Sequence, residues 1–441
     1  MKMKFEIRKA GLRSFGRQLS VAVLSLLLVN TGLIRAADWQ QYGGPNHDGV
    51  SPEKISVKWP AEGPRQLWKI PLTGGFSVLT VSQGRAYSLV LRSVEGAEQE
   101  VCVALDADTG KELWAAPLGT IEINTGGERG TSDNKGGDGP RSTPSIDGDN
   151  FYVTSAKLIL SCFDARTGKV NWSKNLMKEH GGKNIDWQNA ASPLIDGDLI
   201  FVAGGGPGQA LLGLDKRTGQ VVWKGQDDRM THSTPVVATI LGVRQIIFLT
   251  QPGLVAVAPK TGEVLWRSPF RYQTSTAISP VVGGDVVYCS AAYNVGAGAV
   301  KITKSGDKFV ATELWRKPNE LMNHWSTPVY KDGYIYGMFD RAAFGIGPLK
   351  CVELATGKEM WSEAGFGPGG VILVDGRLLA LGDRGQLVLI EATPAAYKEL
   401  ARTQALAGKC WNHPVISNGR IYARSTKEGV CLDVSEKSAH H

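Results

Sequence analysis

The chain has 441 residues, 42% hydrophobic and 21% charged, the balance of a globular protein with a core to bury. Its formal charge of +7 sits almost entirely in residues 1–36, where seven Lys and Arg oppose only Glu6, so the remainder is nearly neutral. That excludes a basic nucleic-acid surface and a polybasic membrane patch, while 54 Gly and 12 Trp point to a turn-rich β protein with large apolar anchors.

In chain order, the basic front, the apolar run 21–29 and the small residues Ala36 and Ala37 have the layout of a secretory signal peptide over 1–36. The run is shorter than the roughly 20 residues a spanning helix needs. No Cys lies nearby to carry a lipid, and no Arg-Arg pair marks twin-arginine export. The expectation is a periplasmic or secreted monomer with no transmembrane segment. Residues 37–64 follow as an N-terminal extended segment, and 435–441 read as a tail.

Between 65 and 434 one phrase recurs: TGKELW (109–114), TGKVNW (167–172), TGQVVW (218–223), TGEVLW (261–266) and TGKEMW (356–361). QLW at 66–68 and ELW at 313–315 keep its end, and KELAR (398–402) is a copy without Trp. The phrase Trp residues are Trp68, Trp114, Trp172, Trp223, Trp266, Trp315 and Trp361, spaced 43–58 residues apart. Between these copies lies a second phrase, typified by STPSIDGDNFYV (142–153) and STPVYKDGYIYG (326–337), with eight versions in all. Each second phrase reads as a short strand, a tight turn and an alternating strand. A third strand then ends at Asp-x-x-Thr-Gly, and a fourth ends near Trp. Four antiparallel strands, eight times, predict an all-β, eight-bladed β-propeller. The last blade lacks a fourth strand and residues 65–70 lack a blade, so pairing of 65–70 with 429–434 is expected to close the ring.

Within the phrase, the Asp (Asp106, Asp164, Asp215) is expected to bond its turn, and the Trp to pack on a neighbouring blade. Cys162, Cys351 and Cys431 occupy a slot that holds Ala104, Gly213 and Ala256 elsewhere, so they read as small packing residues. A disulfide among Cys102, Cys289 and Cys410 stays open.

The Asp-x-x-Thr-Gly-x-x-x-Trp frame resembles the pyrroloquinoline-quinone (PQQ) repeat, shared by quinoprotein alcohol dehydrogenases and the outer-membrane assembly protein BamB. The stretches WQQYGGPNHDGVSPE (39–53) and WPAEGPRQLWKI (59–70) are similar to exported PQQ-like propellers of planctomycetes and verrucomicrobia. The resemblance implies the fold over nearly the whole mature chain. It also implies two functions, a BamB-like binding or scaffold protein and a PQQ-dependent oxidoreductase acting on alcohols or sugars with PQQ and calcium. Quinoprotein alcohol dehydrogenases typically carry a vicinal Cys pair and some a Cys-x-x-Cys-His motif; this chain has neither.

Function is expected where the repeat stops repeating. Three residues before the Pro of each second phrase stand Arg141, Ala190, His232, Ala277, Trp325 and Trp411; blades 1 and 7 leave this register ambiguous. With Asn189, Thr276, His324, Asn412 and His413 they form the expected lining of a funnel mouth for a protein, carbohydrate or small-molecule partner. Arg suits carboxylates and Trp offers a stacking face. His232, His324 and His413 fall on separate blades, so no metal site is expected. The insertion 125–140 reads as a lid rather than a calcium loop, since Asp133, Asn134 and Asp138 lack that loop's spacing. No catalytic residue is assigned.

Overall fold

The computed structural model of the chain describes residues 38–121, 138–272, 276–339 and 347–436. The expected signal peptide and all but the end of the 125–140 insertion lie outside the described residues, as do 437–441 of the tail. Eight sheets follow one another, each built on four antiparallel strands that, in the first seven, run in chain order from inner to outer edge. Blade 1 is Thr80–Ser82, Arg85–Val94, Ala97–Asp106 and Glu112–Thr120. The eighth blade takes Val415–Ser417, Arg420–Arg424 and Glu428–Asp433 from the C-terminal end and Arg65–Pro71 as its outer strand. The closing register pairs Arg65 with Asp433 and Ile70 with Gly429. No terminal edge is left unpaired there.

What holds blade to blade is the repeated phrase. The Asp carboxylate accepts hydrogen bonds from two backbone N–H groups and the Thr hydroxyl of its own turn, at 2.8–3.1 Å around Asp106 and 2.8–3.0 Å around Asp164. The following Gly adopts φ near +70° (Gly110 +72°, Gly168 +73°), open to Gly at little cost. A bare backbone is also required there for packing. A Cβ on Gly168 would lie 2.7 Å from the Trp114 ring, and one on Gly262 2.4 Å from that of Trp223. Five Trp residues lie in this way on the Gly turn of the next blade: Trp68 on Gly110, Trp114 on Gly168, Trp172 on Gly219, Trp223 on Gly262 and Trp315 on Gly357. The indole N–H donates to a carbonyl of that turn: Trp68 to Ala107 at 3.0 Å, Trp114 to Ala165 at 3.0 Å, Trp315 to Leu354 at 2.9 Å.

The small slot has a matching reason. Ala104, Cys162, Gly213, Ala256, Ala299, Cys351 and Cys431 are the cross-strand partners of Trp114, Trp172, Trp223, Trp266, Trp315, Trp361 and Trp68. Only a small side chain leaves the indole room to lie down. Blade 7 inverts the pair, with Leu389 facing Ala401. All six Cys are buried free thiols, on separate strands or loops.

Hydroxyls of the second phrase stitch the inner ring. Val78 N donates to Thr143 Oγ1, Thr143 N to Ser192 Oγ, and Ser192 N to Thr234 Oγ1, at 2.8–3.0 Å. This belt fixes the register of blade 1, and the inner hairpin Val374–Arg377 fixes that of blade 7. The missing slot residues are Phe76 and Pro368.

Residues 38–56 run through the central channel. Trp39 bridges to Val81, the Gln40 carbonyl accepts from Ile146 N at 2.8 Å, and the Gln41 side chain from Ile195 N at 3.2 Å. Val50–Ser51 then adds a parallel strand inside blade 7, Glu53 accepts from Gly419 N, and Ser56 N donates to the Val434 carbonyl. Many of these contacts fall at the hairpin turns that end the inner strands, so the segment closes the channel from that side.

Gly168→Ala should destabilise the chain by about 2–4 kcal/mol in urea unfolding, from the left-handed backbone plus the clash with Trp114. Gly148→Ala, with φ +58° and nothing within 4 Å, should cost about 1 kcal/mol. Equal losses would show that the ring does not depend on the Trp–Gly contact.

Candidate functional site

At the other end of the channel the eight slot residues surround the mouth, and they divide it by chemistry. On one side lies a row of rings. Phe76 of blade 1 stacks on Trp411 of blade 8 at 5.1 Å, and Trp411 stacks on Trp325 of blade 6 at 4.4 Å. His324 meets the edge of Trp325 at 4.5 Å, and Tyr293 meets His324 at 5.0 Å. Trp325 reaches Trp411 across blade 7 because that blade presents Gly-Pro-Gly-Gly at 367–370. A Cβ on Gly369 would lie 1.9 Å from the Leu381 carbonyl oxygen, and one on Gly370 2.6 Å from His413 Cα. Trp325 Nε1 donates to the Pro368 carbonyl at 2.7 Å. Behind the row, Lys409 Nζ lies 4.2 Å from the centre of the Trp411 ring and 3.0 Å from Asp138, both ends of the ion pair fully buried. Burying both charges is costly unless they pair well, and the Trp411 face adds a cation–π contact.

The opposite side is polar. Arg141 Nη1 donates to the Trp187 carbonyl at 2.6 Å. Burial lowers the Arg141 pKa to about 10, with Asp138 and Glu100 pulling it back. Burial, and next the charge of Arg141, push His232 down to about 4, so it is neutral at pH 7. Trp187 and Gln188 both have left-handed backbones, at φ +63° and +61°. Two such non-Gly residues in succession store strain of the kind found at binding sites, and Arg141 holds this bend in place.

Arg141, His324, Trp325, Trp411 and His413 are half-buried around the mouth, and His232 lies just beneath. His413 turns inward, 5.2 Å from Tyr42 and 5.9 Å from Trp39 of the channel segment. Its Nδ1 lies 2.9 Å from the Pro414 carbonyl, and burial lowers its pKa to about 4. Asn189 and Thr276 are buried below the surface and hold loops. Asn189 donates to the Ala191, Ser155 and Thr154 carbonyls and accepts from Ala191 N, while Thr276 Oγ1 donates to the Ser290 carbonyl. Asn412 is buried, and its amide has no hydrogen-bond partner.

Sequence reasoning passed over Phe76, Trp187, Lys409 and Glu100. The first two were recoverable as aromatic residues outside the docking phrase. Glu100 carried no signal; it is an ordinary residue of a strand that becomes 2% exposed. Burial raises its pKa to about 7, against the Ala156 N–H, which donates to it at 2.7 Å, and the charges of Arg141 and Lys157.

A family model described as outer membrane protein assembly factor BamB matches residues 97–363, more than half of the chain. Among solved structures, BamB from Moraxella catarrhalis is 16% identical with a TM-score of 0.58, covering 86% of this chain and 98% of that one. The quinohemoprotein alcohol dehydrogenase ADHIIG from Pseudomonas putida HK5 is 14% identical with a TM-score of 0.64, covering 90% and 80%. That of Comamonas testosteroni is also 14% identical, with a TM-score of 0.62 and the same coverages. At such identities these likenesses speak for the fold alone. No curated protein matches the sequence.

A raised carboxyl pKa means that the folded state holds its proton more tightly, so stability is lost as pH rises from about 4.5 to about 7. Glu100→Gln should gain about 3 kcal/mol relative to wild type between pH 4.5 and 8, by urea unfolding. A difference that does not vary with pH would contradict this.

Proposed function

This chain belongs to the BamB family of PQQ-repeat propellers, and on that premise we propose that it is an exported binding or scaffold protein of the cell envelope. Its partner sits at the funnel mouth. The observation that carries this reading is the divided mouth: a half-buried row of rings on one side, Arg141 and Trp187 on the other, above a channel filled by the chain's own residues 38–56. Its described residues offer stacking faces and a cation, and among them no nucleophile, base and orienting group stand in mutual hydrogen-bond contact. BamB-like participation in outer-membrane assembly is the specific form of the proposal. The export signal read at 1–36 supports placement outside the cytoplasm, and among the described residues no helix is long and apolar enough to cross a membrane.

The oxidoreductase reading requires a calcium-bound quinone, and the described mouth residues do not fit one. Among them no three His, Cys, Asp or Glu side chains converge as cation ligands. Asp138 is already paired with Lys409, and Phe76 and Trp325 both pack on the Trp411 ring.

Two measurements test this. Envelope partners captured by the immobilised mature chain should be lost in Arg141→Ala and Trp411→Ala and kept in Arg166→Ala on an outer turn; equal capture by all three would remove the mouth as the site. Adding PQQ and calcium should give neither binding heat nor dye-linked oxidation across an alcohol panel. Turnover there would make the chain a dehydrogenase.

A further inference from the structure

Trp411 and the two residues after it carry polar atoms that the fold does not satisfy. Trp411 Nε1, both amide atoms of Asn412 and the Nε2 of His413 are buried without a hydrogen-bond partner. They come from three consecutive residues leading into the innermost strand of blade 8. Nearly all buried polar groups in folded proteins are paired, so four in one short stretch call for an explanation. Their chemistry is specific. The Nδ1 of His413 faces a carbonyl oxygen, which only accepts, so Nδ1 carries the proton and Nε2 presents a lone pair. Trp411 Nε1 is a donor, and the Asn412 amide is both donor and acceptor. The group is therefore neutral and mixed in polarity, and it adjoins aromatic faces.

One face of Trp411 is covered by Trp325. Trp325 lies against Trp411 and is held by a single hydrogen bond, from its Nε1 to the Pro368 carbonyl. Trp411 is held more firmly, with Phe76 stacked on it and Lys409 over its ring. Of the two indoles, Trp325 is the one that can leave.

We propose that the Trp325–Trp411 pair is the closed form of a site for an uncharged saccharide, in which a sugar ring replaces Trp325 against Trp411 and completes the hydrogen bonds of Trp411, Asn412 and His413. The ligand class follows from the donor set. An anion would call for a cation aimed at it; here Lys409 is neutralised by Asp138 and Arg141 is turned to the Trp187 carbonyl. A sugar brings an apolar C–H face for the indole and hydroxyls that donate and accept together. The cost of opening is the Trp325–Pro368 bond and the ring contacts of Trp325 with Trp411 and His324, set against four unpaired atoms that gain partners. The inference rests on the reading of the mouth as the binding site and names what it binds.

The test is calorimetric titration of the mature chain with uncharged malto-, cello- and xylo-oligosaccharides, with polygalacturonate as the charged control and unrelated extended peptides as the protein control. Saturable binding of at least one uncharged series is expected, accompanied by a change in Trp fluorescence. Asn412→Ala should weaken that binding about tenfold or more, the loss of a two-bond contact, while its thermal midpoint stays at or above wild type because the amide has no partner to lose. Trp325→Ala should bind as tightly as wild type or more tightly, since the cover is gone. Absence of heat with every uncharged series, preference for polygalacturonate or peptide, or unchanged affinity in Asn412→Ala would each overturn the proposal. If saccharides fail while partner capture still depends on Arg141 and Trp411, only this inference falls; if both fail, the mouth is not the site.

Discussion

Every blade-to-blade step that carries the full phrase depends on one contact, an indole lying on a glycine. The Asp-x-x-Thr-Gly turn sets φ near +70° and strips the backbone bare, and the Trp of the preceding blade covers it while donating to a turn carbonyl. The small residue across the strand from each Trp gives the ring its room. Removing any of the three elements leaves either a clash or a void. The exceptions obey the same logic. Blade 5 has a long hairpin, Gly296–Ser305 with Lys308–Lys317, in place of the Gly turn, and there Trp266 donates instead to Gln245 of its own blade at 2.7 Å. Blade 7 has no Trp and exchanges large for small at Leu389 and Ala401.

Because this contact lies on the third and outer strands, the inner loops are free of it. The slot before each innermost strand can therefore hold Phe76, Arg141, His232, Trp325, Pro368 or Trp411 without disturbing the ring. Rigid blades bring residues hundreds of positions apart to within stacking distance, as Phe76 and Trp411 show. The segment 38–56 supplies the other boundary. By filling the channel from the turn side it sets Tyr42 and Trp39 against His413, so the mouth has a floor made by the chain itself.

Much of this was legible in the sequence, for a physical reason. A repeat must state its packing rule in every copy, so the blade count, the docking Trp, the small slot and the 65–70 closure could all be read by comparing copies. The mouth was legible only as a departure from the repeat, which located Arg141, Trp325 and Trp411 but not their partners. Stacking of Trp325 on Trp411 needs the absent side chains of blade 7, and the register of that blade emerges only from its hairpin. Glu100 and the path of 38–56 were not legible, because burial and threading arise from three-dimensional closure. Asn189 and Thr276 are also irregular in sequence, and their side chains hold loop backbone.

The account makes the mouth, not the outer rim, the working surface, although the rim exposes Leu113, Val222 and Leu314 on the outer strands of blades 1, 3 and 5. The most direct test is oxidative footprinting of the mature chain with and without its captured partner, read at individual Trp residues. The account predicts protection of Trp187 and Trp411, with the docking Trp residues and Leu113, Val222 and Leu314 unchanged. Protection of Leu113, Val222 and Leu314 with an unchanged mouth would contradict it.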